Sequence, residues 1–321
     1  MIGPAPKLPA ILGTAVPQIN NADLESYGFE LQVNWRDQIG DFNYNIRAVL
    51  ADDRQEITKY NNPTGDIGTW YAGRMVGEIW GYKTAGLAKR REEMDKHLQG
   101  VKQSTIGSNW GAGDIMYRDL NGDGQIDGGS GVLGDTGDQR VIGNSHPRYK
   151  FSLDITGNYK NFDFRLFLQG IGKRDYMPGG PYFWGANSGM WQSAGFEGHM
   201  DFFRDENSPM VQAGVADVNL DSYFPKPYFN SGKNKQTQTR YLQDASYMRL
   251  KNLQLGYTFT DKIMSAIGAR SLRLYVSGEN LLTFTSLVDT FDPEDLALEG
   301  WDDGKTYPLS RVYSVGLDIR F

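Results

Sequence analysis

The chain of 321 residues carries 33 Lys and Arg against 39 Asp and Glu, a formal net charge of −6, and without a basic tract it is ill suited to nucleic acid. The absence of Cys removes a disulfide framework, a thiolate metal site and a Cys nucleophile. Mean hydropathy is −0.52 and no run nears the roughly eighteen apolar residues of a membrane helix, but strands that turn only every second residue to lipid escape that test.

The first eighteen residues hold four prolines and a single Lys, with no apolar core of signal-peptide length. If the chain is exported, further sequence is expected upstream of Met1. Strict alternation begins at Phe29, with Phe29, Leu31, Val33 and Trp35 on one side and Glu30, Gln32, Asn34 and Arg36 on the other. This is the pattern of a strand wet on one face. After a break at 38–41, alternation resumes through Phe42, Tyr44, Ile46, Ala48 and Leu50, which predicts a hairpin.

A second pair runs over 149–159, through Phe151, Leu153 and Ile155, and 162–170, through Phe164, Leu166 and Leu168. Only Lys160 and Asn161 separate these strands, so a two-residue turn is expected with Asn161 available for positive φ. A third pair covers 247–259 and 271–283, and a last strand starts near Ser310 and ends at Phe321. Between them the polar run 89–97 predicts a short surface helix. The connections at 38–41, 160–161 and 260–270 are short, while those at 53–148, 171–246 and 284–309 are long. Strict alternation of short and long is the topology of an outer-membrane barrel, with short periplasmic turns and long extracellular loops. The expected fold is therefore all-β: seven or eight antiparallel up-and-down strands of a larger transmembrane β-barrel. On the alternation, Phe29, Trp35, Phe151, Leu166, Leu255, Leu274 and Leu317 face lipid.

The chain ends on Ser314, Gly316, Ile319 and Phe321 at the spacing of a barrel assembly signal: a polar residue, a Gly two places on, then apolar or aromatic residues at the third-last and last positions. An unpaired edge strand is sticky, and the insertion machinery is expected to read this one. In the first long loop, Asp119, Asn121, Asp123 and Asp127 set oxygen donors at positions 1, 3, 5 and 9 of an EF-hand-like loop, with Gln125 offering its carbonyl at 7 and Gly124 turning the chain at 6. Ser130 stands where an EF-hand has its closing Glu, so Asp138 or Asp135 is the candidate to return a carboxylate. Structural Ca²⁺ is one reading and a metal-free cluster of Asx turns the other.

In the second long loop, Tyr182, Phe183, Trp184 and Trp191 stand among Gly, Asn and Ser. Tyr182, Trp184 and Trp191 are candidates to stack on sugar or meet a covering protein, with Asn187 to bond hydroxyls, and packing against neighbouring loops is the plainer alternative. His97, His146 and His199 have no metal-ligand spacing. The acid pairs Asp52-Asp53, Glu92-Glu93 and Asp302-Asp303 read as solvated loop charges, and no catalytic residue is nominated.

Several segments resemble the SusC/RagA family of TonB-linked outer-membrane transporters: 6–13 ahead of Tyr27-Gly28-Phe29-Glu30, then 77–87, 113–127 with 141–147, 241–257 and 276–285. They span nearly the whole chain in family order. The resemblance implies uptake of glycans or peptides through a plugged barrel of about 22 strands. It also implies a SusD-type surface lipoprotein over the mouth, TonB acting through an N-terminal plug, barrel assembly machinery, and residence in outer-membrane lipid. Neither plug nor TonB-binding segment is found in 1–321, so the chain is expected to be the C-terminal portion. A secreted calcium-stabilised carbohydrate-binding β-module and a glycan-cleaving enzyme are the competing classes.

Overall fold

The computed structural model describes residues 2–4, 18–185, 195–228, 231–259, 268–296, 306–307 and 309–321. Seven long strands dominate: β1 (Ala22–Ile39), β2 (Phe42–Tyr60), β3 (Arg148–Tyr159), β4 (Phe162–Lys173), β5 (Tyr247–Thr258), β6 (Ser271–Thr285) and β7 (Val312–Arg320). Each pairs antiparallel with its sequence neighbour, so one meander runs from β1 to β7 in chain order. Among the described residues no pairing joins β1 to β7, so the sheet is a stretch of wall with two open edges.

The turns at 40–41 and 160–161 sit at the same end of this wall, since Tyr159 pairs with both Phe42 and Phe162. The long connections leave from the other end, as the sequence predicts. In the turn at 160–161 it is Lys160, at φ 52°, that takes the left-handed conformation. Asn161 was expected there, but the left-handed position of this turn is its first.

The strands β1 and β2 are longer than their alternation suggests, beginning seven residues before Phe29 and continuing ten beyond Leu50. The added stretch carries charge on both sides, through Glu25, Asp53 and Glu56, with the apolar pair Leu24 and Ile57 within it, so the ladder continues where the period-two signal has faded. This hairpin rises past the level at which one face is apolar.

Register decides the faces, because paired residues share a side of the sheet. Trp35 pairs with Ile46, Ile46 with Ile155, Ile155 with Leu166 and Leu166 with Leu253. Leu255 then pairs with Val276, and Leu274 with Leu317. One unbroken apolar face thus crosses all seven strands and includes every residue assigned to it from the alternation. It is open: Phe29 is 53% exposed, Trp35 59% and Val315 76%. An exposed apolar face of this extent marks a surface that meets something other than water.

Near the short turns the face ends in rings, where Phe42 stacks on Phe164 at 6.4 Å and Phe162 lies 4.7 Å from Tyr257, a girdle of the interfacial kind. The opposite face is polar and internally paired. Arg165 bonds Asp154 through both nitrogens at 2.8 and 3.0 Å, Arg273 reaches Asp163 at 2.5 and 2.9 Å, and Arg47 donates to Gln32 at 3.1 Å.

The chain's last strand obeys the same rule. Gly316 pairs with Tyr275 on the polar face, whereas Ile319 pairs with Leu272 on the apolar one. The residues of the assembly signal therefore divide between faces, Ser314 and Gly316 on one, Ile319 on the other. Gly316 is required by close approach: a Cβ there would stand 2.1 Å from Cζ of the Tyr275 ring. Gly316→Val should lower stability by about 1–3 kcal/mol through overpacking, and adding Tyr275→Ala should recover much of the loss. A denaturation cycle on the refolded protein in detergent checks both, and an additive pair of losses would refute the contact.

Candidate functional site in the loop assembly

The buried core of this protein lies in the loops. Short strand pairs, Glu78–Gly81 with Arg140–Asn144 and Thr84–Leu87 with Ile115–Tyr117, frame the first loop. The helix α1 (Arg91–Gly100), close to the one expected at 89–97, buries Met94. Asp175–Tyr176 pairs with Gln243–Asp244 across the base of the second loop. Residues from all three long loops, Met94, Trp110, Tyr117, Tyr176, Phe183, Tyr241, Leu287 and Phe291 among them, form one cluster. Aromatic rings in mutual edge contact dominate it, such as Trp184 on Tyr241 at 4.8 Å and Phe183 on Phe224 at 5.3 Å, and such contacts add to area burial.

A buried ion pair stitches the first two loops together. Lys233 Nζ donates to Asp114 Oδ2 at 2.8 Å, with the two side chains 3% and 0% exposed. Asp114 also accepts from Asn234 Nδ2 at 2.8 Å and from the Gly111 amide at 2.8 Å. The ammonium donates further to the carbonyls of Asn109 and Ser108 and stands 4.0 Å from the Tyr228 ring centroid and 5.0 Å from that of Trp110. Burial, with Asp114 close by, pushes the Tyr228 hydroxyl pKa up, so it stays a neutral donor. Sequence reading missed this pair because a Lys and an Asp more than a hundred positions apart carry no local signal.

The candidate metal loop is held by its own backbone. Asp119 accepts from the amides of Gly122 at 2.6 Å and Gly124 at 2.8 Å, Asp123 from Gln125 at 2.8 Å, and Asp127 from Gly129 at 2.7 Å. The amides of Gly124 and Gly122 hold the Asp119 carboxyl below the usual carboxylate range. Gly124 has φ 77°, the turn expected at position 6. Asn121 and Gln125 direct their amide nitrogens to Asp123 and Asp127 at 2.9 and 2.8 Å.

Of the two acids considered for closure, Asp138 returns, fully buried and accepting from the amides of Leu120 at 2.6 Å and Asp127 at 3.1 Å. Asp135 instead accepts from Ser130 Oγ at 2.7 Å. Among the described residues no group of three or more His, Cys, Asp or Glu is gathered as a metal site. The donors are the all-oxygen kind that suits a hard cation, and in this geometry they serve as Asx-turn acceptors.

Tyr182 and Trp184 are both described, while Asn187 and Trp191 fall outside the described residues. Trp184 is 9% exposed and packed among Phe183, Phe224 and Tyr241, and Tyr182 stacks on Phe196 at 5.7 Å. Both therefore have packing partners. An apolar cleft of about 320 Å³ opens beside Trp184, lined also by Phe196, His199, Phe202 and Tyr228.

Asp52 and Asp53, read as solvated loop charges, are strand residues on opposite faces of β2, each with a cation. Arg148 bonds Asp52 through Nε and Nη2, and Asp53 takes Lys150 Nζ at 2.8 Å and His146 Nε2 at 2.9 Å. Adjacent residues in a strand point apart, so the two acids meet different partners. His97 bonds Gln103 at 3.0 Å and His199 the Tyr182 carbonyl at 3.0 Å. Glu93 accepts from the Lys89 amide at 2.7 Å ahead of α1, and Asp302-Asp303 lie outside the described residues.

No family model matches the sequence. A TonB-dependent receptor of Formosa agariphila, P3, is 26% identical over 340 aligned residues, covering 98% of this chain and 30% of the relative. The TonB-dependent receptor SusC of Bacteroides thetaiotaomicron is 23% identical over 309, covering 94% of the chain and 27% of SusC. Among solved structures, the RagAB peptide transporter superposes with a TM-score of 0.66 at 20% identity, over 100% of this chain and 32% of its own.

The chain is similar to TonB-dependent receptors, SusC among them, along nearly its whole length. It spans less than a third of the length of these relatives. The likeness to RagAB is one of fold, and it places the seven-stranded meander as part of a barrel wall. The relatives are receptors and transporters by name, in keeping with a chain for which no catalytic residue is nominated.

Breaking the buried ion pair should loosen the loops without touching the wall. Lys233→Met leaves the Asp114 charge buried and uncompensated, at a cost of about 3–5 kcal/mol, and Lys233→Met with Asp114→Asn should restore part of it. Amide exchange in 84–117 compared with β3 and β4 reads the difference. Equal loss of protection in loops and wall would contradict a local role.

Proposed function

We propose that this chain supplies the C-terminal wall and the recognition loops of a TonB-dependent outer-membrane importer for large nutrients, glycans or peptides. The supporting observation is the division of labour within the chain: an apolar, uncovered sheet face below, and one shared loop core at a single end above. A wall of this kind exposes apolar side chains only where lipid covers them, and recognition belongs to loops on a rigid scaffold. Seven strands with two open edges among the described residues are part of a barrel, and neither the plug nor the TonB contact is among the roles proposed for them.

In this reading the loop assembly faces a SusD-type lipoprotein, with Tyr182, Trp184, Asn187 and Trp191 at or near the contact with it or with the nutrient. Ser314, Gly316, Ile319 and Phe321 serve the barrel assembly machinery as the strand it reads. The loop at 119–127, with Asp138 behind it, takes Ca²⁺ as a structural ion through Asp119, Asn121, Asp123, the Gln125 carbonyl and Asp127. The hard oxygen spacing supports this, and the bound ion would neutralise crowded carboxylates and stiffen the loop.

Two experiments test the reading. In the full-length receptor, Leu166→Lys on the apolar face should cost roughly 2–4 kcal/mol of barrel stability, while Arg165→Lys, one residue along on the polar face, should be tolerated. The readout is the heat-modifiable fraction in outer-membrane preparations, and equal tolerance at both positions would remove the lipid assignment. For the ion, Ca²⁺ should protect 113–138 from limited proteolysis and Asp123→Ala should abolish that protection. If cleavage is the same with Ca²⁺ as with chelator, the hydrogen-bonded Asx turns suffice by themselves.

A further inference from the structure

The regular pairing of the sheet breaks at Lys251. Going along β5 from Leu250 to Asn252, the partners on β4 change from Leu168 to Phe167, and those on β6 from Leu282 to Glu279. Lys251 is thus an extra residue against β4, while on its other side β6 carries the extra residue, Leu281 and Asn280 standing opposite Lys251, and bulges of this kind re-aim side chains. Just before it, Arg249 pairs with Gln169 and Thr283, which sets it on the polar face, and it is only 3% exposed.

What covers Arg249 is the segment that follows β6. Arg249 Nη2 donates to Asp292 Oδ1 at 2.7 Å and Nη1 to Glu294 Oε2 at 2.5 Å. Lys251 Nζ reaches both Glu294 oxygens, at 3.0 and 3.1 Å, and Gln169 Nε2 donates to Glu294 Oε1 at 2.5 Å. Two cations thus face two carboxylates at one level of the wall. The same segment is tied elsewhere: Arg174 Nη2 donates to the Leu296 carbonyl at 2.8 Å, Leu287 and Phe291 are buried in the loop core, and Phe291 lies 5.6 Å from Tyr176.

A connection between strands ordinarily runs outward, where water satisfies its backbone and charges. This one does the reverse. Its acids are led onto the polar face, and that requires the compensation Arg249 and Lys251 provide, since a buried carboxylate without a partner is costly. We propose that residues 287–296 are an inward strap, locked to the wall by Arg249 and Lys251, that borders the path of an incoming nutrient and fixes the third loop's share of the aromatic core. The path rests on the functional reading above; the lock itself does not.

The test uses the whole receptor with its surface partner in outer-membrane vesicles, made otherwise free of Cys, and follows labelling by a membrane-impermeant maleimide. A reporter at Val288→Cys, packed against the loop core, should react slowly in the parent. With Asp292→Asn and Glu294→Gln together it should react at least about tenfold faster, as a local opening becomes populated. Arg249→Met should do the same, while Arg249→Lys, which keeps the charge, should stay nearer the parental rate. A second reporter, Ile106→Cys in the first loop, should be unaffected. An unchanged rate at Val288→Cys, or an equal rise at Ile106→Cys, would overturn the strap. Because labelling needs no transport, a lock that holds while Leu166→Lys is tolerated would sink the membrane reading and spare this one.

Discussion

Hydrogen bonding between neighbouring strands decides which side chain lies on which face, and the two faces of this sheet require different surroundings. The chain of partners from Trp35 through Ile46, Ile155, Leu166 and Leu253 admits no slip, because a shift of one residue would turn Arg165 and Arg273 outward and Leu166 and Leu274 inward. The polar side would then lose its ion pairs at Asp154 and Asp163. Everything else in the molecule sits on that register. The apolar face is left uncovered by the protein itself, which on the proposed reading is where lipid lies, and the loops carry most of the protein's own core.

The wall was legible in the sequence because its physics is local. Period-two alternation needs only neighbouring residues, and Phe29 to Trp35 or Phe162 to Leu168 announce themselves. The signal fails where the environment changes. Beyond Leu50 the strand β2 continues through Asp52, Asp53 and Arg54 to Tyr60, with partners on both sides, and alternation of apolar and polar residues has nothing to report. The Asp52-Asp53 pair was misread for this reason: acids in sequence contact look solvated until Arg148 and Lys150 of β3, and His146 just ahead of it, are brought in from about 95 residues away.

The loop sites divide in the same way. The turn at 119–127 is written in consecutive residues, and its Asx geometry follows the sequence closely, Gly124 included. Where the two outside acids go needed the fold, which bonds Asp138 to the amides of Leu120 and Asp127 and Asp135 to Ser130. Trp184 shows the limit from the other side. As a ring in a Gly-rich segment it suggests a ligand contact or loop packing, and the structure gives it packing partners, rings from elsewhere in the same loop, beside the apolar cleft. Neither Phe224 nor Tyr241 was linked to it by any spacing.

Aromatic packing alone would not explain why three loops that leave the sheet at separate places settle into one arrangement, since ring contacts are forgiving in direction. The charged contacts are not. Lys233 of the second loop finds Asp114 of the first. Arg174, at the start of the second, donates to the carbonyl of Ser145 in the first and of Leu296 in the third. Arg249 on the wall takes Asp292 and Glu294 of the third. In each case a buried cation of one element is completed by acceptors of another, so a loop folded by itself would bury an uncompensated charge. The penalty falls on every partial arrangement and vanishes only when all three loops are in place. Each loop therefore finds part of its charge compensation on a neighbouring element, and these directional contacts select one mutual arrangement on a wall whose register is already set.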